Sequence, residues 1–222
     1  MAAEAVPITT IDLLRHGEPE GGLRFRGHTD DPLSALGWQQ MQQALRTPAD
    51  SLPPWTTVIS SPLRRCHDFA RHYVQQHVVY QHAGQQHAKR HKLRLRVEPR
   101  LREIHFGDWE GRSADDIEAA DAAALKAFWH NPLVNMPPGS EPLADFHARV
   151  LAAWQELLQR YRGEHLLIVS HGGVIRLLLQ HILAMPAEAL LRVQVDHACL
   201  SRIAVHHHAT PQAQLVFHGG RP

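Results

Sequence analysis

Short apolar runs alternate with longer amphipathic stretches along this chain. Ile8 to Leu14 is β-branched and apolar, the signature of a buried strand. Trp55 to Ser60 and His165 to Ser170 have the same character. Leu93 to Val97 alternates apolar with basic residues, as an edge or half-exposed strand does. Cys199 to His206 and Gln214 to His218 predict two closing strands. Helices are expected over about 35–46, 63–79, 141–161 and 174–184, with two short ones over 113–130. Ser34 is placed to cap the first, Pro62 falls in the first turn of the second, and Gly163 ends the long amphipathic one at 141–161. Strands and helices alternate through most of the length. That pattern points to the α/β class, a layered sheet covered by helices on both faces. No composition shift marks a second domain and no internal repeat occurs, so residues 1–222 are expected to form a single domain. Gln75 to Lys92 stands apart, rich in Gln and His with Lys89, Arg90 and Lys92 at its end. It predicts a polar helix extension and a surface loop inserted into that domain.

Composition narrows the function classes. A hydrophobic fraction of 44% over 222 residues suffices for a sizeable core. The formal net charge is +1, so no global electrostatic argument favours nucleic acid or a membrane surface. The two cysteines, Cys66 and Cys199, form no CxxC pair, which argues against a disulfide framework or a thiolate zinc site. The first residues carry no basic region leading into an apolar core of signal-peptide length, and no apolar run reaches membrane-spanning length. A cytoplasmic protein with no membrane partner is expected, and oligomeric state is not legible.

Polar groups with chemical potential collect where strands are expected to end. Arg15-His16-Gly17 follows the first strand. Ser60-Ser61-Pro62-Leu63-Arg64-Arg65-Cys66 joins a strand to a helix. Leu101-Arg102-Glu103-Ile104-His105-Phe106-Gly107-Asp108-Trp109-Glu110-Gly111 forms a third segment, and Ser170-His171-Gly172-Gly173 again joins strand to helix. In open α/β sheets chemistry gathers beyond the carboxyl ends of the strands. Arginine offers a planar fork that matches phosphate oxygens, and helix N-termini favour anions.

These four segments, in this order, resemble the histidine phosphatase (phosphoglycerate mutase-like) superfamily over about residues 8–205. Arg26-Gly27-His28-Thr29-Asp30-Asp31-Pro32-Leu33-Ser34-Ala35-Leu36-Gly37 is similar to its alpha-ribazole phosphatase and fructose-2,6-bisphosphatase-like branch. The resemblance implies a three-layer α/β/α sandwich around a mostly parallel sheet. It implies a phosphatase in which His16 attacks phosphorus and Arg15, Arg65 and His171 hold the phosphoryl oxygens. The Gly172 N–H would add a further donor, and Glu103 would protonate the leaving oxygen and then deprotonate water. Arg65, rather than Arg64, falls at the family's spacing, and Glu103 competes with Glu98, Asp108 and Glu110 for the acid role. No metal or other cofactor is implied, because arginine and histidine supply the positive charge.

In many family members an Asn that helps bind phosphate falls where this chain has Gly22. That contact is then lost, or supplied by backbone or by Arg26. No long insertion follows Glu103, which favours hydrolysis over return of the phosphoryl group to a sugar acid. The expected activity is a metal-independent phosphomonoesterase acting on a small phosphorylated metabolite, with alpha-ribazole 5′-phosphate of cobalamin biosynthesis as the leading substrate. A phosphoglycerate mutase, a fructose-2,6-bisphosphatase-like enzyme and a non-catalytic phosphate-binding regulator are the alternatives. His105 is expected to be structural or on the pocket rim, and Trp109 to lie in the core. His77, His82, His87 and His91 recur at spacings that do not share one helical face, and read as a solvated loop rather than a metal site. The basic run Lys89 to Arg96 lacks interleaved aromatics and reads as a solvated face or a grip on an anionic substrate, not a nucleic-acid site.

Overall fold

The computed structural model describes residues 6–46, 53–79 and 93–220. The chain runs β1 (Ile8–Arg15), α1 (Ala35–Ala44), β2 (Thr57–Ser60), α2 (Arg64–Val79), β3 (Arg94–Val97) and α3 (Ala114–His130). It continues through α4 (Leu143–Arg160), β4 (His165–Ser170), α5 (Gly172–Ile182), β5 (Leu200–His206) and β6 (Gln212–His218). The six strands form one sheet in the order β3-β2-β4-β1-β5-β6. β3, β2, β4 and β1 are mutually parallel, and β5 and β6 close the far side with antiparallel pairings. The expected α/β fold with a mostly parallel sheet is therefore present. Val79 ends the description of α2, so His82, His87, Lys89, Arg90 and His91 lie outside the described residues.

Alternation along the central strands explains the layers. Ile11 and Leu13 of β1 and Leu166 and Ile168 of β4 pack with Phe146, Val150, Trp154 and Leu157 of α4 and with Val174 and Leu178 of α5. Leu14, Leu167 and Val169 face the other way, towards Met41 of α1 and Cys66, Phe69 and Tyr73 of α2. A two-residue side-chain period buried on both faces is what a covered parallel sheet requires. A third, smaller cluster of Trp109, Ile117, Leu125 and Phe128 anchors α3 apart from the sheet.

Local signals set most boundaries. The Ser34 hydroxyl accepts from the Gly37 N–H and caps α1. α2 starts at Arg64, so Pro62 stands just ahead of the helix rather than in its first turn. The two short helices expected over 113–130 occur as one segment broken at Asp121, whose φ of −157° and ψ of 82° are not helical. Ser113 and Asp116 form a capping box at its start, and the Asp121 carboxylate accepts from the Ala124 N–H to restart it. Among the described residues no helix is long and apolar enough to cross a membrane.

One buried carboxylate ties the sheet together. Asp12 lies wholly buried in mid-β1. It accepts two hydrogen bonds from the Arg202 guanidinium of β5 (2.8 and 2.9 Å), one from the Trp55 indole (2.7 Å), and is 3.1 Å from His165 Nε2 at the start of β4. Burial pushes its pKa up, but the bonds from Arg202, His165 and Trp55 outweigh it and leave the group below its ordinary value. Its contribution is thus complete at neutral pH and is lost as pH falls through the acid range. Asp12→Ala removes an acceptor shared by several elements and is expected to cost about 3–5 kcal/mol. A lowered urea midpoint at pH 7 checks this, and an unchanged midpoint contradicts it.

Candidate active site

β1 and β4 run parallel as neighbours, with Arg15 in register with Ser170. Their carboxyl ends therefore deliver His16 and His171 to the same place, and the two rings meet edge-on at 5.3 Å between centroids. The His16 N–H donates to the Ser170 carbonyl at 3.0 Å. After His16 the chain turns against the N-terminus of α1. A Cβ on Gly17 would run into the Gly37 carbonyl, and one on Gly37 into the Glu18 carbonyl, so neither position has room for a side chain.

His16 Nδ1 lies 2.7 Å from the Gly17 carbonyl oxygen. A carbonyl only accepts, so Nδ1 carries the proton and Nε2 keeps its lone pair. Burial first, then the charges of Arg65 and Arg15, push the His16 pKa well below the ordinary imidazole value. His171, at the end of β4, is fully buried with Nε2 2.7 Å from the Ser61 hydroxyl. Burial and then Arg65 depress it as well. Both rings are neutral at pH 7.

Two guanidinium groups flank these imidazoles. Arg15 donates from Nη1 to the Val195 carbonyl (2.7 Å), and its buried Nε has no hydrogen-bond partner among the described residues. Burial lowers it to about 10, so it stays charged at neutral pH. Arg65, fully buried at the start of α2, donates to the carbonyls of Thr29 (2.7 Å), Gly27 (2.8 Å) and Arg26 (3.1 Å). Its Nε is likewise buried without a partner among the described residues. Unpaired buried donors are costly, and two beside a neutral imidazole describe a place for an anion. The loop that supplies the three carbonyls is itself held by Glu110, which accepts from the N–H groups of His28 and Thr29 and the Thr29 hydroxyl.

A cavity of about 360 Å³ opens over His16, with Arg15, Arg26, Glu103, Arg176 and His197 around its polar end. Gly172, the first residue of α5, also lines it, and the positions of Arg15 Nε and Arg176 Nη1 converge over that glycine. Arg65 and His171 are not on the open wall. Among the described residues Glu103 is the one carboxylate lining this cavity. Its Oε2 accepts from the Gly173 N–H (2.9 Å) and its Oε1 from the Ile104 N–H (3.1 Å). A Cβ on Gly173 would collide with that carboxylate, so the second glycine of the pair makes room for it. The rival carboxylates are placed elsewhere: Glu98 pairs with Arg100 (2.8 Å), Glu110 holds the loop, and Asp108 does not line the cavity. Arg64 is exposed.

Arg26 reaches the cavity wall, but each of its nitrogens already donates: Nε to Asp31 (2.6 Å), Nη1 to the Gly22 carbonyl and Nη2 to the Glu20 carbonyl (both 2.5 Å). It shapes the loop that Gly22 belongs to. His105 sits against His28 at 4.8 Å, and Trp109 is buried. Three further residues at the site carried no assignment from sequence. Arg176 stands on α5 one turn beyond Gly172, a spacing that was there to be read. His197 lies 5.7 Å from His16, on a turn where Ala198 adopts φ of 55° and donates to the His16 carbonyl. Burial, then Arg15, lower His197 to about 4. Arg149 of α4 donates to the carbonyls of Arg100, Arg102 and Glu103 (2.6, 2.7 and 3.0 Å) and pairs with Glu141, fixing the segment that carries Glu103. Among the described residues no group of three or more His, Cys, Asp or Glu side chains is placed to hold a metal ion.

A family model described as the histidine phosphatase superfamily, branch 1, matches residues 11–217. The adenosylcobalamin/alpha-ribazole phosphatase of Escherichia coli is 30% identical over 195 residues, 87% of this chain and 88% of that protein. A probable phosphoglycerate mutase of an Enterobacter species is 31% identical over 200 residues, 87% of this chain and 83% of its own. Among solved structures, the alpha-ribazole phosphatase of Shigella flexneri superposes with a TM-score of 0.73 at 30% identity, covering 96% of each chain. A mycobacterial glucosyl-3-phosphoglycerate phosphatase gives 0.75 at 25% identity, covering 96% of this chain and 99% of that one.

Neutral buried histidines make the protein acid-sensitive. Unfolding lets His16 and His171 take up protons near their ordinary pKa, which the folded state refuses, so stability is lost as pH falls below about 6.5. Each ring still neutral at pH 5 is expected to cost about 2 kcal/mol there relative to pH 7.5. Urea midpoints across that range check this, and a flat profile contradicts it.

Proposed function

The chain belongs to the histidine phosphatase superfamily and is a phosphatase, and from that premise we propose that it hydrolyses a small phosphate monoester through a phosphohistidine on His16, with alpha-ribazole 5′-phosphate as the substrate. The observation that carries the reading is the pair of Nε atoms of Arg15 and Arg65, buried and without a hydrogen-bond partner among the described residues, near a neutral imidazole. They supply donors for the phosphoryl oxygens without borrowing them from an existing bond, and they stabilise the charge that spreads over those oxygens in the transition state.

His16 Nε2 attacks phosphorus and the ester P–O bond breaks. Glu103, as the general acid, hands a proton to the departing alkoxide and is left a carboxylate. That carboxylate then takes a proton from water as the water oxygen attacks the phosphohistidine, releasing inorganic phosphate and restoring both groups. The Gly17 carbonyl keeps the His16 proton on Nδ1 and so holds Nε2 ready for a second cycle. In this reading the Gly172 N–H, on the cavity wall, adds a donor to the phosphoryl group, and His171, buried against His16, adds another once its ring is turned from Ser61. Arginine charge at this density provides what a metal provides in other phosphoryl transfers.

Two observations support this choice of substrate. Relatives at about 30% identity across most of the chain carry the name alpha-ribazole phosphatase. The cavity, about 360 Å³, is at the lower end of the range for pockets that enclose a compact organic ligand.

Phosphate release from alpha-ribazole 5′-phosphate in EDTA, with p-nitrophenyl phosphate as a control ester, tests this. Turnover of the first well above the second supports the substrate, and activity on the control alone rejects it while leaving the chemistry. Product analysis with 3-phosphoglycerate separates hydrolysis from phosphoryl return. His16→Ala is expected to lower kcat by on the order of 10⁴-fold or more and to abolish the acid-labile phosphoenzyme. Retained turnover overturns the mechanism. Glu103→Gln is expected to slow esters of poor leaving groups by about 10²–10⁴-fold. Arg149→Ala should lower kcat by about 10²-fold through misplacement of Glu103 while inhibition by orthovanadate is preserved. Equal loss of both would make Arg149 a general stability residue.

A further inference from the structure

The cavity over His16 is lined by two unlike sets of residues. One is polar and mostly cationic, with Arg15, Arg26, Arg176, His197 and Glu103. The other is apolar, with Leu23, Phe25, Phe106, Ala114 and Trp129, and Phe25 is in ring contact with both Phe106 and Trp129. Arg24, which also lines the cavity, is tied to the carbonyls of Gly21 and Gly111 (both 2.9 Å). Among the described residues no Ser, Thr, Asn, Gln or Asp side chain lines this cavity.

The aromatic residues are built as a wall. Phe25 packs edge-on against Phe106 (5.2 Å, 75°) and Trp109 (5.1 Å, 65°), and its ring is 5.8 Å from that of Trp129 at a tilt of 39°. Phe128, its neighbour on α3, meets Trp129 edge-on at 5.1 Å. Trp109 and Phe128 are buried and explain themselves as core. Trp129 does not: it is 51% exposed, on the last turn of α3, beside Leu23 at 79%. Two large apolar side chains left in water at the mouth of a reactive cavity mark a binding surface. Phe25, Phe106, Trp129, Glu103 and Arg176 also line a second, smaller cavity of about 110 Å³ that continues past Met136 and Leu143.

We infer that this wall is a leaving-group subsite for a flat aromatic ring system joined to the phosphate through a short linker. The inference rests on the proposed chemistry at His16 and names the class of alcohol released. Glu103 lines both cavities together with Phe25, Phe106 and Trp129, so an alcohol that takes its proton leaves into a space walled by those rings. A ring laid there covers exposed apolar surface and stacks on Trp129, the arrangement that aromatic faces favour. A hexose or sugar acid laid on the same wall gives up water bonds to its hydroxyls and, among the described residues, finds beside the rings only Arg24, already tied to two carbonyls. The subsite thus selects by flatness and apolarity rather than by a hydrogen-bond pattern.

Two pairs of ligands separate subsite from chemistry. The esters 2-phenylethyl phosphate and n-propyl phosphate release alcohols of similar basicity, and the matching phosphonates bind without turnover. The wild-type protein is expected to bind 2-phenylethylphosphonate at least tenfold more tightly than n-propylphosphonate, and to show a similar ratio in kcat/KM for the esters. Trp129→Ala should erase most of both ratios, Trp129→Phe should keep part of them, and n-propyl phosphate turnover should be unchanged in each. A ratio near one in the wild type, or a ratio untouched by Trp129→Ala, overturns the subsite. Preferential phosphonate binding without ester turnover or phosphoenzyme leaves the subsite standing and overturns the catalytic reading instead.

Discussion

Parallel pairing of β1 with β4 places Arg15 opposite Ser170, and the residues that follow each are His16 and His171. No loop has to be folded precisely for the two imidazoles to meet, because the hydrogen-bond ladder of the sheet sets their separation. A slip of one residue would turn every side chain of β1 to the opposite face. Such a slip is opposed from both sides, since Ile11 and Leu13 belong to one core and Leu14 to the other. Asp12 adds a polar lock, matched to Arg202 on β5, that only one register satisfies. The chemical centre inherits its geometry from that register.

The cost of the arrangement is electrostatic. Arg15 and Arg176 line a cavity that carries a single carboxylate among the described residues, and Arg65 is fully buried off that wall. Carbonyl oxygens rather than counter-ions restrain these cations: Val195 for Arg15, Val193 for Arg176, and the Arg26–Thr29 loop for Arg65. Carbonyl dipoles orient a guanidinium without neutralising it, so the charge remains for a ligand. The same field, with burial, keeps His16, His171 and His197 unprotonated. A nucleophile with a free lone pair and a surrounding that attracts a dianion are thus two results of one charge distribution.

The strands and most helices were legible because their apolar periods are long and unbroken, from Ile8 to Leu14 and from His165 to Ser170. The two short helices read over 113–130 are there as well, parted by a kink at the non-helical Asp121. At the site, short segments identify residues that a strand end presents, such as His16 and His171. They do not identify residues brought in by packing. Arg149 looks like one polar position on an amphipathic helix, and only the fold shows it grasping the carbonyls around Glu103. His197 depends on a left-handed Ala198, which no residue preference announces. Arg26 was one of the replacements open for a missing phosphate contact, beside backbone or none, and its bonds to Asp31, Gly22 and Glu20 are a matter of loop geometry that sequence does not encode locally.

The helix α3 rests on its own small cluster, Trp109, Ile117, Leu125 and Phe128, which among the described residues meets the larger of the two sheet cores through the half-buried Phe106 and Met136. Division of the interior in this way makes the molecule modular in inheritance. Changes in the α3 region can be repacked locally and leave the strand ends undisturbed. A lineage built on this plan can exchange the alcohol it recognises many times over while the phosphorus chemistry stays fixed, and one scaffold can seed enzymes that share a reaction but no common diet.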